Sequence, residues 1–248
     1  LWGATLTAEA SGQLPFLGSK EHSAMQLVIG NKNYSSWSMR PWVLMKGLGI
    51  PFEERKLSFN LGFTTGFKQA ILAISPAGKV PVLIDDGFLV WDTLAIAEYL
   101  NDRFPGRGVW PAEAKARARA RSVCAEMHSG FGALRQHCPM NIELSMPEVG
   151  ARVLREQPAV RDDLARVDAL WCDALAAGGP FLFGAFGAAD AFFAPVALRV
   201  RSYGLPLSAP AAAYAARLLA APGPAAWIAD ALAEQEFVAE DEPYRSQR

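Results

Sequence analysis

The chain is poor in the residues that carry metal and redox chemistry. It has three cysteines, Cys124, Cys138 and Cys172, and three histidines, His22, His128 and His137. No two cysteines form a CxxC pair, and neither residue type has zinc-site spacing, so no metal is expected. A sparse, odd cysteine count fits a reducing compartment, and a core of this size needs no disulfide, which points to a cytoplasmic protein. An excess of either charge is also lacking: 24 Lys and Arg against 25 Asp and Glu leave a formal net charge of -1. No global field therefore draws the chain to nucleic acid or to an anionic membrane. Arg117, Arg119 and Arg121 do cluster, but they alternate with alanine, and a helix spreads that spacing around its circumference into a solvated face. A long uninterrupted apolar run is missing as well. The stretch 181–200 comes nearest, yet it carries Gly184, Gly187, Asp190, Pro195 and Arg199 and reads as a buried helix rather than a membrane span. Residues 1–24 have neither a basic n-region nor a continuous apolar h-region, so they do not read as a signal peptide. They read as an added or mis-assigned extension, poorly ordered, ahead of a domain that starts at Met25.

What is present is globular: 51% of the 248 residues are hydrophobic and 20% charged, enough for one large domain or two small ones. The stretch 75–100, SPAGKVPVLIDDGFLVWDTLAIAEYL, organises the first half. Ser75-Pro76-Ala77-Gly78 is turn chemistry. Val80 to Ile84 is short, β-branched and apolar; Asp85-Asp86-Gly87 is a hairpin signal; Phe88 to Trp91 is the returning strand. Thr93 is placed to cap a helix with Leu94, Ala97 and Leu100 on one face. Pro81 is out of place inside a strand, which marks an edge, a bulge or a cis bond. A cis Val80–Pro81 bond would turn the Val80 N–H and C=O outward, free to pair with an extended ligand. Asp92 and Thr93, at a helix N-terminus, would then lie near a ligand carboxylate and ammonium group.

Upstream, Gln26 to Ile29 reads as a first strand. The polar run Asn33-Tyr34-Ser35-Ser36 leads into a helix that Ser35 or Ser36 caps, with Pro41 in its first turn. Glu53 to Leu57 alternates and forms a second strand, parallel to the first across that helix. Residues 58–74, with Phe59, Phe63 and Phe67, form an irregular loop and short helix over the ligand site. A fold of this order that handles thiols often carries CxxC at the loop between strand and helix. Serines stand there instead, so a thiol must come with the ligand.

These motifs resemble the glutathione transferase family. Val80-Pro81 is similar to the family's cis-proline loop, Asp92-Thr93 to its acidic-Ser pair, and Leu94 to Leu100 to the helix closing its glutathione site. Ser35-Ser36-Trp37-Ser38-Met39-Arg40 resembles the Ser-Ser-Cys-x-x-Arg signature of the zeta class, with Trp37 in the place of cysteine. The resemblance implies an α/β plus all-α fold: a thioredoxin-like glutathione-binding domain over 25–106 and an all-helical domain over 111–240. It implies glutathione as co-substrate, bound by Lys79, Val80, Pro81, Asp92 and Thr93, with Ser35, or else Ser36, holding the sulfur as thiolate. It implies attack on a small electrophile, by conjugation or by isomerisation as in maleylacetoacetate isomerases, and a homodimer. Some relatives keep the fold as non-catalytic interaction modules, which is the alternative function.

From Pro111 onward the composition turns to Ala, Arg and Leu with helical period. Helices are expected over 111–138, 147–177, 187–203 and 209–219. In the first, Cys124, His128, Phe131 and Arg135 share a face. The resemblance makes His128, Phe131 and Arg135 candidates for the second-substrate pocket, against a polar network at a dimer seam. Gly187 and Asp190 match the family's capping box, a folding feature rather than a catalytic one.

Overall fold

The computed structural model describes residues 25–248. The expectation for 1–24 lies outside the described residues.

The first half is a four-stranded sheet in the order β2-β1-β3-β4. β1 (Gln26–Ile29) pairs in parallel with β2 (Glu53–Lys56), Gln26 opposite Glu53. On its other side β1 pairs antiparallel with β3 (Val82–Asp85), Leu27 opposite Leu83, and β3 pairs antiparallel with β4 (Phe88–Val90). The parallel pair needs a crossover, and α1 (Ser36–Gly47) provides it. Asp86 and Gly87, both at positive φ (48° and 83°), make the tight turn between β3 and β4. That is the backbone a two-residue hairpin of this hand requires.

Strand alternation divides the core. Leu27, Ile29 and Leu83 point to the side covered by α1 and α3 (Thr93–Arg103), while Val28 and Val82 face Phe59, Phe67 and Ile71. Phe67 and Ile71 lie on α2 (Phe67–Leu72), which follows a 3-10 turn at Phe59–Leu61 and one wide turn at Gly62–Gly66. The irregular loop and short helix read from 58–74 are therefore present.

The remainder is helical: α4 (Ala114–Ser129), α5 (Gly132–His137), α6 (Pro147–Glu156), α7 (Pro158–Leu175), α8 (Ala188–Tyr203), α9 (Ala209–Ala220) and α10 (Pro222–Glu234). α8 is buried along almost its whole length and packs on α1, continuing the sheet's core into the helical half. α10 also lies on α1. A Cβ at Gly223 would stand 2.4 Å from the Val43 carbonyl oxygen, so only glycine permits that approach. Asp190 accepts from the Gly187 N–H at 3.0 Å, closing the expected half of the cap on α8, and also from Tyr214 Oη at 2.8 Å.

Several local expectations are corrected. The N-cap of α3 is Asp92, whose Oδ1 accepts from the Leu94 N–H at 3.1 Å, and Thr93 is the first helical residue. Pro41 lies in the second turn of α1, because the helix starts at Ser36. The helix expected over 111–138 is two, α4 and α5. The chain breaks at Gly130 and at Phe131, which takes φ 55°. The helix expected over 147–177 divides at Gln157, whose helical conformation is disfavoured by Pro158. α10 lies beyond the last helix expected from the sequence; Pro222 occupies its first position, where a missing N–H costs nothing.

Candidate active site

A cleft of about 770 Å3 opens between the C-terminal ends of the sheet and the helical half. The β1–α1 loop supplies Tyr34 and Ser35, the first turn of α1 supplies Ser36 and Trp37, and the loop before β3 supplies Gly78, Lys79, Val80 and Pro81. The start of α3 supplies Asp92 and Thr93, and the helical half supplies His128, Arg135, Met140 and Arg199.

The Val80–Pro81 peptide is cis, as its sequence position suggests, and so is Trp91–Asp92. Neither the N–H nor the C=O of Val80 has a hydrogen-bond partner among the described residues. That peptide edge thus faces the cleft with a donor and an acceptor available, the arrangement an extended peptide ligand would extend as a strand.

Ser35 caps α1 by position but makes no side-chain bond to the helix. Its Oγ donates instead to Ser38 Oγ at 2.7 Å, and Ser38 Oγ accepts from the Gly30 N–H at 3.1 Å. Ser36 Oγ accepts from Arg199 Nη2 at 3.4 Å. Both serines are buried at the cleft floor, and no acidic side chain stands in the first turn of α1, so the positive end of the helix is open to an anion.

Asp92 combines its capping bond with a contact from Thr93 Oγ1 at 3.2 Å. Its Oδ1 also lies 3.6 Å from His128 Nδ1, and the His128 ring stands edge-on to Trp37 with centroids 5.0 Å apart. About half of the Asp92 side chain stays exposed, leaving an oxygen for a cation. Lys79 is exposed and has no side-chain partner among the described residues.

The structure thus brings Ser35, Ser36, Lys79, Val80, Pro81, Asp92, Thr93, His128 and Arg135 to one cleft. Phe131 is not among them. It is buried in the helical core against Phe193, ring centroids 6.5 Å apart, because the break between α4 and α5 removes it from the face that His128 shares. Arg199 was missed as a site residue. Its signal was a basic residue inside the apolar run of α8, which the sequence offered only, with Asp190, as an argument against a membrane span. Among the described residues no helix is long and apolar enough to cross a membrane, and no three His, Cys, Asp or Glu side chains converge as metal ligands do.

Residues 34–103, which hold the serine loop, the Val80–Pro81 turn and the start of α3, match the family model described as the glutathione S-transferase N-terminal domain. The whole fold is similar to that of a glutathione transferase homolog from Burkholderia BGR1 solved with bound glutathione. The TM-score is 0.63 at 23% identity, over 86% of this chain and 99% of that one. Residues 34–103 thus match the N-terminal domain of the glutathione S-transferase family, and the rest of the chain shares that fold.

Among curated relatives, a maleylacetoacetate isomerase of Pseudomonas aeruginosa is 35% identical over 104 residues, covering 41% of this chain and 47% of that protein. A dichloromethane dehalogenase of Methylorubrum extorquens is 36% identical over 66 residues, 27% of this chain and 23% of that protein. The matches span less than half the length of either relative. The family-model match, 34–103, falls in the sheet half, which holds the serine loop and the cis-proline turn.

Proposed function

We propose that this chain is a glutathione S-transferase, an enzyme that binds glutathione in the cleft, holds its sulfur as thiolate through a serine hydroxyl at the start of α1, and directs it at a small electrophile. One observation carries the reading: the unpaired Val80 backbone lies in the same cleft as the N-termini of two helices, with Ser35 and Ser36 at one and Asp92 and Thr93 at the other.

Each part has a physical task. The Val80 N–H and C=O pair with a peptide backbone; the N-terminus of α3 takes a carboxylate, Asp92 the ammonium group beside it, and Lys79 a second carboxylate. The chemistry that glutathione supplies is a thiol nucleophile. A free thiol has a pKa of about 8.5, so little is ionised at neutral pH. Each tenfold gain in thiolate requires about 1.4 kcal/mol of preference for the charged form, within the range of one charge-assisted hydrogen bond. Ser35, backed by Ser38, is placed to donate that bond, and Ser36 is the alternative. The thiol proton leaves to solvent, and a carbon–sulfur bond forms at the electrophile. Either a leaving group departs with its electron pair, or a reversible addition permits rotation and elimination, which isomerises the substrate.

A homodimer in the cytoplasm belongs to the same reading. Phe88 and Trp91, on and just after β4, are 62% and 46% exposed, an unusual exposure for large apolar side chains on one edge.

The test is glutathione binding by calorimetry on wild type and Ser35→Ala, with thiolate absorbance followed against pH. Binding with a thiol pKa at least about one unit below the free value, lost in Ser35→Ala, supports the reading. Binding without a shift in wild type removes the serine mechanism. Absence of binding favours the other reading, a glutathione S-transferase fold used as a non-catalytic interaction module.

A further inference from the structure

Three guanidinium groups gather on the Ser36–Trp37 turn, and none makes an ion pair among the described residues. Arg40 Cζ stands 4.0 Å from the centre of the Trp37 ring, and Arg135 Cζ stands 5.6 Å from the same centre. Arg199 Nη2 reaches Ser36 Oγ. Arg40 is fully buried and no atom of its guanidinium group has a partner. Arg199 is equally deep, held by the carbonyl oxygens of Cys138 at 2.9 Å and Pro195 at 3.2 Å. Arg135 donates to the His128 carbonyl oxygen at 3.2 Å and is otherwise free. Burial and mutual repulsion push Arg40 down to about 9 and Arg199 down to about 10.

Asp92 and Asp163 favour the charges of Arg40 and Arg135 from a distance, but neither makes an ion pair with them. Asp92 caps α3, and Asp163 accepts from the Leu134 N–H at 2.9 Å. Asp241 lies at the cleft's edge, with burial and its acidic neighbours holding its carboxyl up at about 6. A buried cation without a counter-ion costs several kcal/mol, a cost that recognition of an anion offsets. Arg135 and Arg199 line the helical side of the cleft, across from Val80 and Asp92.

We propose that the electrophile accepted by this cleft carries a carboxylate, which Arg135 and Arg199 hold on the helical side, with Arg40 behind Trp37 adding its charge. The inference rests on the glutathione reading above, since it names the co-substrate of the same site. With a neutral electrophile, the glutathione sulfur would be the one negative charge brought to three cations. A carboxylate places two oxygens against planar donor groups that suit it.

The test uses a matched pair of non-reacting probes, 3,5-dinitrobenzoate and 3,5-dinitrobenzamide, titrated calorimetrically into protein saturated with S-methylglutathione. The wild type is expected to bind the acid about tenfold or more tighter than the amide, the gain of one charge-assisted contact. Arg135→Gln, whose side chain is only half-buried, is expected to lose most of that preference while still binding S-methylglutathione. Arg199→Lys, which keeps the charge but not the fork, is expected to lose part of it. If Arg199→Lys fails to fold, Arg135→Gln carries the test alone. Equal affinity for acid and amide in wild type, or a preference unchanged in Arg135→Gln, overturns the proposal. Failure of S-methylglutathione to bind overturns the glutathione reading and removes the co-substrate with it. An acid–amide comparison without S-methylglutathione then shows which of the two failed.

Discussion

Ser35 and Ser38 share a hydrogen bond, Oγ to Oγ at 2.7 Å, across one turn of α1, and Ser38 is itself fixed by the Gly30 N–H. A hydroxyl has one proton and two lone pairs, so the pair can reverse. When Ser35 donates to an anion in the cleft, Ser38 donates back to Ser35, and neither is left without a partner. Ser38 is thus a positioning residue for Ser35. Ser35→Ala is expected to raise the pKa of bound glutathione by about one unit, a tenfold loss of thiolate at neutral pH. Ser38→Ala is expected to give roughly half that rise and Ser36→Ala less still, with glutathione affinity changed little in all three. Thiolate absorbance against pH distinguishes them, and a larger effect at Ser36 transfers the role to the residue that Arg199 touches.

Asp92 has two tasks that substitution separates. Asparagine caps a helix as well as aspartate does but carries no charge. Asp92→Asn is expected to unfold at the wild-type temperature while binding glutathione about tenfold more weakly. Asp92→Ala loses both functions: about 1 kcal/mol of stability, which lowers Tm by roughly 2–4 °C in a chain of this size, in addition to the affinity. Thermal unfolding beside calorimetry reads both. Unchanged affinity in Asp92→Asn would remove Asp92 from the ammonium site.

The features legible in the sequence were local ones. β1, the hairpin at Asp86-Gly87 and the Val80–Pro81 turn each follow from a few adjacent residues whose backbone preferences agree. The serine loop and Asp92–Thr93 were legible for the same reason. The residues that escaped depend on distant contacts. Arg199 meets Ser36 from 163 positions away along the chain, and Glu242 meets Tyr34 Oη at 2.6 Å from 208 away. No periodicity predicts such pairs. Phe131 failed differently: an assumed unbroken helix put it on the face with His128, yet Gly130 precedes it, and the chain turns there into a left-handed conformation. Gln157-Pro158 was a boundary signal that the apolar pattern on either side obscured.

Arg40 is expected to be a residue whose removal stabilises the protein. Its folded-state pKa is lowered to about 9, so above pH 9 the native chain gives up this proton before the unfolded chain does. From this group, stability rises with pH through that window, and at pH 7 the charge is a cost. Arg40→Met keeps much of the volume and the stacking on Trp37 and Phe192 without the charge. Thermal unfolding at pH 7 is expected to show a gain of about 1–4 kcal/mol, a Tm several degrees higher. The same variant is expected to bind 3,5-dinitrobenzoate more weakly, a trade of function for stability. A fall in Tm would show that the guanidinium's stacking on two rings outweighs its desolvation.

The chain that follows α10 returns over the sheet, burying Val238 against Val28 and Val82 and placing Asp241 at the cleft. Burial and the neighbouring Glu240 and Glu242 push the Asp241 carboxyl up from 3.8 to about 6. Between these values the native state keeps a proton that the unfolded chain has lost. The group's contribution is therefore fully present below about pH 4 and is lost as pH rises through 6. Asp241→Asn mimics the protonated form at every pH. Urea unfolding is expected to give equal stabilities for variant and wild type at pH 4, and an advantage for the variant of about 1–2 kcal/mol at pH 7, discounted for partial solvent screening. The ionised carboxylate also opposes an anion in the cleft. Dinitrobenzoate affinity is thus expected to fall in wild type as pH rises from 5 to 7, and to fall less in Asp241→Asn. Parallel pH profiles for the two proteins would place the Asp241 charge outside the reach of the ligand.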